Sequence, residues 1–300
     1  MQIADNFRCG YVAVVGRPNV GKSTLINAVM GRKVSIVTNK PQTTRHRILA
    51  VHNTDAAQII FVDTPGIHRK AGKAMNRLMN RTAANALEDA DVILFVCEAE
   101  RWTDEDEDVL TRVRASQAPC ILLLNKVDLV HPKPRLFDIL TTMSERYRFA
   151  EIVPTSARRG TNLDALMKLL PDYLPESPPF FPEDMHTDRS VEFHAAEIVR
   201  EKLTQSLQQE LPYGLTVQIE RLQATEEGTE VYAVIWVERD SQKGMVVGKG
   251  GHVLKQVGIA ARHELREQLG GRVHLELWVK VKDNWADNEQ DLLRLGYEAP

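Results

Sequence analysis

"YVAVVGRPNVGKSTLINAVM", residues 11–30, runs from an apolar stretch through a glycine-bounded loop into a helical pattern. Inside it, "GRPNVGKS" (Gly16 to Ser23) fits G-x-x-x-x-G-K-[ST]. Glycines let backbone N–H groups turn inward around phosphate, and the start of the next helix adds the positive end of its dipole. Lys22 is then the residue that meets the β- and γ-phosphates, and Ser23 offers its hydroxyl to Mg²⁺. Gly16, Arg17, Pro18, Asn19, Val20, Gly21 and Thr24 complete the loop and its exit.

The surrounding 170 residues fit such a loop. "YVAVVG", "AQIIFVD", "DVILFVCE", "CILLLNK" and "EIVPTSA" are short apolar runs of the kind buried on both faces of a parallel sheet. Helical stretches lie between them: Lys22 to Gly31, Met75 to Leu87, Glu105 to Ala115, Arg135 to Tyr147 and Leu163 to Leu174. This alternation predicts a doubly wound, mostly parallel α/β domain. "RILAVHNT" precedes "AQIIFVD" by a gap too short for a crossover, so the two are expected to pair antiparallel.

Two further segments define the ligand. "IIFVDTPG" ends a strand at Asp63, where a carboxylate can hold the metal's water shell, and Gly66 can offer its N–H to a γ-phosphate. "LLLNKVD" places Asn125, Lys126 and Asp128 just past another strand. The Asp128 carboxylate can accept from both N1–H and the exocyclic amine of guanine. Adenine would leave it unpaired, at a cost of roughly several kcal/mol. The three pieces together specify GTP and GDP, and they exclude a P-loop ATPase or kinase.

"GRPNVGKS", "DTPG", "NKVD" and "TSA" (Thr155 to Ala157) resemble the translation-factor-related P-loop GTPases. The resemblance implies that Ser156 and Ala157 back the guanine ring. It makes "KPQTTRHR" the first switch, including Gln42, Thr43, Thr44 and Arg45. It also implies that Thr44, or its neighbour Thr43, joins Mg²⁺ when the γ-phosphate is present. Asn19 followed by this switch resembles the members that use K⁺ at the phosphates. Ile67 stands where Ras-like relatives carry a water-orienting glutamine. Even with that glutamine, unassisted switch GTPases turn over at only about 10⁻⁴ per second, so slow intrinsic hydrolysis is expected.

The composition sets outer bounds. Three hundred residues with 43% hydrophobic and 26% charged residues suit about two globular domains. The longest apolar runs fall far short of the ~20 residues that span a bilayer. Three cysteines without CxxC spacing and nine scattered histidines suggest neither a disulfide framework nor a zinc site. Five prolines between Pro171 and Pro182 read as a stiff linker. The boundaries so drawn are 1–172, a linker at 173–190, and 191–300.

The last segment reads α-β-β-α-α-β. A helix is expected from Val191 to Leu211, strands at "LTVQIERL", "EVYAVIWVERD" and "RVHLELWVKVKD", and a helix from His252 to Leu269. A second glycine loop, "GKGG" (Gly248, Lys249, Gly250, Gly251), lacks the Lys-Ser pair of a nucleotide loop. It resembles the G-x-x-G loop of type II KH domains, which clamp single-stranded RNA. Residues 191–300 hold 13 Lys/Arg against 18 Asp/Glu, a net of −5. Yet Gln242 to Arg262 holds Lys243, Lys249, Lys255 and Arg262 and no acid. Charge confined to the loop suits a short strand better than a duplex. The competing reading is a module that docks a protein or membrane surface, in which these glycines have no evident purpose.

A GTPase of this type followed by such a KH domain resembles the Era family, on "QTTRHR", "DTPGIH", "ELPY" and "HLELWVKVK". The resemblance implies an RNA site at Gly248, Lys249, Gly250, Gly251 and Lys255. It implies binding near the 3′ end of small-subunit ribosomal RNA and GTP-timed assembly and rRNA processing of that subunit. It implies a cytoplasmic monomer, and it allows weak peripheral association with the inner membrane.

Overall fold

A computed structural model describes residues 6–66, 73–207 and 211–297. The first domain is a six-stranded sheet in the order β2-β3-β1-β4-β5-β6. Its strands are β1 (Arg8–Val15), β2 (Ile48–Asn53), β3 (Ala57–Asp63), β4 (Val92–Glu98), β5 (Cys120–Asn125) and β6 (Glu151–Pro154). All neighbours are parallel except β2, which pairs antiparallel with β3, as the short gap required. The helices are α1 (Lys22–Met30), α2 (Ala74–Glu88), α3 (Asp104–Ala115), α4 (Arg135–Arg146) and α5 (Leu163–Leu169). The stretch Leu170–Tyr173, expected to be part of α5, is a 3₁₀ turn. Pro171 there cannot donate to the α-helical ladder.

Burial on both faces explains the continuous apolar runs. Val12 and Val14 join one core with Leu25 and Leu166, whereas Ala13 and Val15 join the other with Val109 and Met143. Strands β1 and β4 carry almost no polar side chain, so their C-terminal ends are rigid platforms for the loops above them. All three cysteines are free and buried. Burial pushes the Cys120 thiol up to about 12, so it packs as a small hydrophobe.

The proline-rich segment lies along the first domain. Its Glu176 bridges to Arg8 and its Thr187 to Ala50 of edge strand β2. Gln58, fully buried, accepts from the N–H groups of Phe180 and Phe181 and donates to the Phe181 carbonyl. Prolines lower the entropy lost when such a segment is fixed.

In the second domain, α6 (Val191–Ser206), α7 (Asp240–Val247) and α8 (His252–Leu269) pack on a sheet of β7 (Leu215–Thr225), β8 (Gly228–Val237) and β9 (Val273–Val281). β8 lies in the middle, antiparallel to β7 and parallel to β9. The helix expected to reach Leu211 ends at Ser206; Leu211–Gly214 is a 3₁₀ turn, and 208–210 lie outside the described residues. Val191, the first residue of the expected helix, is 50% exposed. Along α6, Glu197, Arg200 and Glu201 are buried as well, because this helix also faces the first domain. A short α9 (Glu289–Arg294), not anticipated, follows a turn at Trp285. Trp285 and Tyr297 pack with Met75 and Met79 of α2.

Candidate functional site

The phosphate loop leaves β1 at Val15 and enters α1 through Gly21, whose φ of 105° few side chains tolerate. A Cβ at Gly16 would lie 2.3 Å from the Val96 carbonyl, and one at Gly21 would lie 2.3 Å from the Asn125 amide nitrogen. Lys22 is buried and donates to the carbonyls of Gly16 (2.9 Å) and Arg17 (3.0 Å). Burial lowers its pKa to about 8, opposed by the Asp63 charge. Beside the loop is a cavity of about 750 Å³, lined among others by Pro18, Asn19, Gly21, Lys22, Ser23 and Thr24. Val20 is buried beneath the loop. The Arg17 side chain points away from the cavity, pairing with Asp106 and Glu98 at 3.0 Å each.

Three oxygens converge at the start of α1. Ser23 Oγ lies 2.8 Å from Thr44 Oγ1 and donates to Asp63 Oδ2 at 3.0 Å. Asp63 Oδ1 is buried without a hydrogen-bond partner. Burial raises the Asp63 pKa, against the pull of Lys22. Two hydroxyls and a carboxylate with an unused oxygen suit a hard cation such as Mg²⁺. The two threonines differ in geometry: Thr43 Oγ1 bonds Thr38 Oγ1 and the Lys40 carbonyl, while Thr44 Oγ1 is the one that reaches Ser23. Gly66 closes over the loop, where a Cβ would come within 2.9 Å of the Pro18 ring. Ile67 lies outside the described residues.

The base end is equally connected. Asn125 donates to the Val20 carbonyl at 2.7 Å and accepts from Ala157 N–H at 2.9 Å, tying the phosphate loop to the "TSA" turn. Ser156 donates to Asp128 at 2.7 Å. That bond, with Arg159 and Arg158 nearby, holds the Asp128 carboxyl below the usual range. Asp128 is thus an anion at neutral pH, as an acceptor for guanine must be. Lys126 sits at φ 64° and pairs with Glu98 at 3.4 Å. Glu98 therefore bridges Arg17 and Lys126, a link that motif spacing could not reveal.

The segment with Gln42, Thr43, Thr44 and Arg45 touches both domains. Arg45 is 3% exposed and donates to the carbonyls of Pro212 and Leu215, both at 2.7 Å. Arg200 of α6 donates to the Thr43 carbonyl, while its charge is met by Glu197 at 2.6 Å. Burial alone would raise the Glu197 carboxyl, but Arg200 holds it below its ordinary value. His46 meets Phe193 edge-on and Tyr297 at a tilt, and burial drives its pKa down to about 4. Upstream, Lys33 pairs with Glu201, and Asn19 donates to the Asn39 carbonyl.

The second glycine loop joins α7 to α8. Gly250 and Gly251 have φ of 60° and 77° with open space where a Cβ would stand. Gly248 differs: its Cβ would lie 2.5 Å from Val253. Lys249 and Lys255 are exposed, as are Lys243 and Arg262. Two exposed apolar residues went unnoticed in the sequence: Met245 on α7 (59%) and Ile259 on α8 (52%). The signal was available, since α8 buries Val257, Ala261 and Leu265 at four-residue spacing and Ile259 falls outside that stripe.

Comparison with known proteins identifies both domains and the family. Residues 11–126 match the family model described as a 50S ribosome-binding GTPase, and 210–286 match the KH domain. The chain is 50% identical over 290 residues to the GTPase Era of Actinobacillus pleuropneumoniae serotype 3, covering 96% of this chain and 95% of that one. It superposes with a TM-score of 0.93 on a crystal structure of Era with MgGDPNP and nucleotides 1506–1542 of 16S ribosomal RNA, at 41% identity, covering 97% and 99% of the two chains. An Aquifex aeolicus Era variant bound to GDP and tetrafluoroaluminate gives the same score, identity and coverage. The chain belongs to the Era family of GTPases.

Proposed function

We propose that this Era-family GTPase is a GTP-timed clamp on the 3′ end region of small-subunit ribosomal RNA, acting in assembly and rRNA processing of that subunit. One observation carries the reading: residues 43–46 are held by the metal-site hydroxyls on one side and by the second domain on the other. Whatever orders Thr44 is therefore felt where the RNA-binding domain docks.

Lys22 and the backbone N–H groups of the loop from Gly16 to Thr24, Pro18 excepted, hold the β- and γ-phosphates, and Asn125, Lys126, Asp128, Ser156 and Ala157 hold the base. Ser23 and Thr44 ligate Mg²⁺ directly and Asp63 does so through water. The metal supplies charge neutralisation on the bridging phosphate oxygens. Asn19, whose amide nitrogen is engaged by the Asn39 carbonyl, would offer its side-chain oxygen to K⁺. With isoleucine at position 67, water must be oriented by backbone, ions or the RNA complex, so hydrolysis in isolation is slow. At the other loop, Gly250 and Gly251 admit a sugar-phosphate chain, Lys249 and Lys255 meet its charge, and Met245 and Ile259 offer apolar surface to unstacked bases. The relative with bound 16S RNA nucleotides supports this choice of RNA.

The test is binding of a short single strand matching the 3′ end of small-subunit rRNA, with a GTP analogue, with GDP and with neither. Binding that differs between analogue and GDP, and is lost in Gly251→Asp, is expected. No binding under any nucleotide would remove the RNA reading and leave a GTPase with a docking module.

A further inference from the structure

Arg200 belongs to the second domain, yet one of its donors ends on the first. Its side chain is 2% exposed and forms a two-bond ion pair with Glu197, Nε to Oε1 and Nη2 to Oε2, at 2.6 Å each. The same Nη2 also donates to the Thr43 carbonyl. On the far side of Thr44, Arg45 is fixed by the Pro212 and Leu215 carbonyls. Gln42, just upstream, is held at a φ of 59°, a conformation a free segment seldom keeps. Thr44 thus lies between two anchors, one residue to either side, both supplied by the second domain.

A buried ion pair is a poor way to gain stability, because an apolar pair of similar volume often serves at least as well. An apolar pair could not donate to the Thr43 carbonyl. We propose that Arg200 is a positioning residue for the nucleotide site: it fixes the Thr43 peptide so that the Thr44 hydroxyl is already placed for the Mg²⁺ of a γ-phosphate-bearing nucleotide. The proposal rests on the reading of Thr44 as a metal ligand given above. Its consequence is selective. GDP does not call on Thr44, so Arg200 favours GTP over GDP rather than nucleotide in general, and the RNA-binding domain completes the GTP site in cis.

The experiment uses the full chain and fluorescent GppNHp and GDP, with Mg²⁺ and with EDTA. Arg200→Ala alone strands the Glu197 charge and risks unfolding, so the working variant is Glu197→Gln with Arg200→Met. Arg200→Lys, which keeps a donor and the charge, is the rescue. Loss of one charge-assisted bond predicts about a tenfold weaker GppNHp complex with GDP affinity held within about twofold. The difference should vanish in EDTA, and Arg200→Lys should recover most of it. Equal weakening of both nucleotides, or no change in either, overturns the proposal. Thr44→Ala separates the two claims. If it weakens GppNHp selectively while the Gln/Met variant does not, the assignment of Arg200 fails and Thr44 stands. If Thr44→Ala shows no selectivity, the reading of Thr44 falls, and this inference with it.

Discussion

The two glycine loops use the same residue for opposite reasons. In the phosphate loop the protein itself fills the space: Gly16 faces the Val96 carbonyl and Gly21 the Asn125 amide, each at a distance no Cβ can occupy. In the second loop Gly250 and Gly251 face nothing within 4 Å. Their glycines serve a left-handed backbone and whatever approaches from outside. Gly248 has the inward character of the first loop, pressed against Val253. A glycine packed inward anchors the fold and its site together, while one packed outward serves the ligand alone. The difference predicts which substitutions unfold the chain and which only blind it.

The largest effect is expected from Gly21→Ala. The new methyl meets an amide that bonds the Val20 carbonyl and is itself 3% exposed, so neither partner can withdraw without breaking the link to the base site. Overpacking at a φ of 105° should cost about 2–4 kcal/mol. GDP affinity should fall more than about a hundredfold, because the loop and Asn125 both shift. Thermal melting and GDP titration test both halves; a variant with wild-type melting and binding would break the comparison at once.

Gly251→Asp comes next and should act oppositely. Open space removes the clash, and the left-handed conformation tolerates Asp better than most residues. On the proposed RNA reading, the carboxylate then faces the phosphates of the bound strand. RNA affinity should fall by about fiftyfold or more, with GDP affinity unchanged and the melting temperature within a few degrees. If nucleotide binding fell in parallel, the two loops would not be separable.

This contrast also marks what sequence could reveal. Spacing placed Lys22 and Ser23 at a helix start and Asp63, Asn125 and Asp128 at or just past strand ends, because the phosphate and guanine chemistry demands fixed residue types there. The fold followed from the same strand–loop–helix grammar. What stayed hidden are side chains whose partners lie far along the chain. Arg45 reads as one more basic residue of the first switch until Pro212 and Leu215 are seen beside it. Glu197 and Arg200, three apart on a helix, look like an exposed surface pair, yet both are buried. Gln58, polar within an apolar run, gave no hint that it would hold the proline-rich segment. Such contacts depend on domain docking, which no local period encodes.

Burial gives the first loop a titration. Lys22 has a pKa lowered to about 8 by burial, and a phosphate placed beside it must raise it. The bound state then keeps its proton to higher pH, so nucleotide binding takes up protons above about pH 8. Affinity should therefore decline by at most about tenfold per pH unit there and be flat well below that pH. Calorimetry at pH 8.5 in buffers of different ionisation enthalpy measures the uptake; zero uptake would mean that Lys22 is already fully charged before nucleotide binds.

The smallest effect, and the sharpest test of what open space means, is Gly250→Ala. Nothing lies within 4 Å of the added methyl, and Gly250 is exposed at the tip of the turn. The change costs only the left-handed backbone preference, about 1 kcal/mol. If the loop keeps its shape, melting drops by a few degrees at most. RNA binding should then weaken by about two- to tenfold, since a methyl shields the backbone without adding charge. A collapse comparable to Gly21→Ala would show that the outward loop is as tightly built as the inward one. An effect confined to RNA would place Gly250 on the ligand's side of the division.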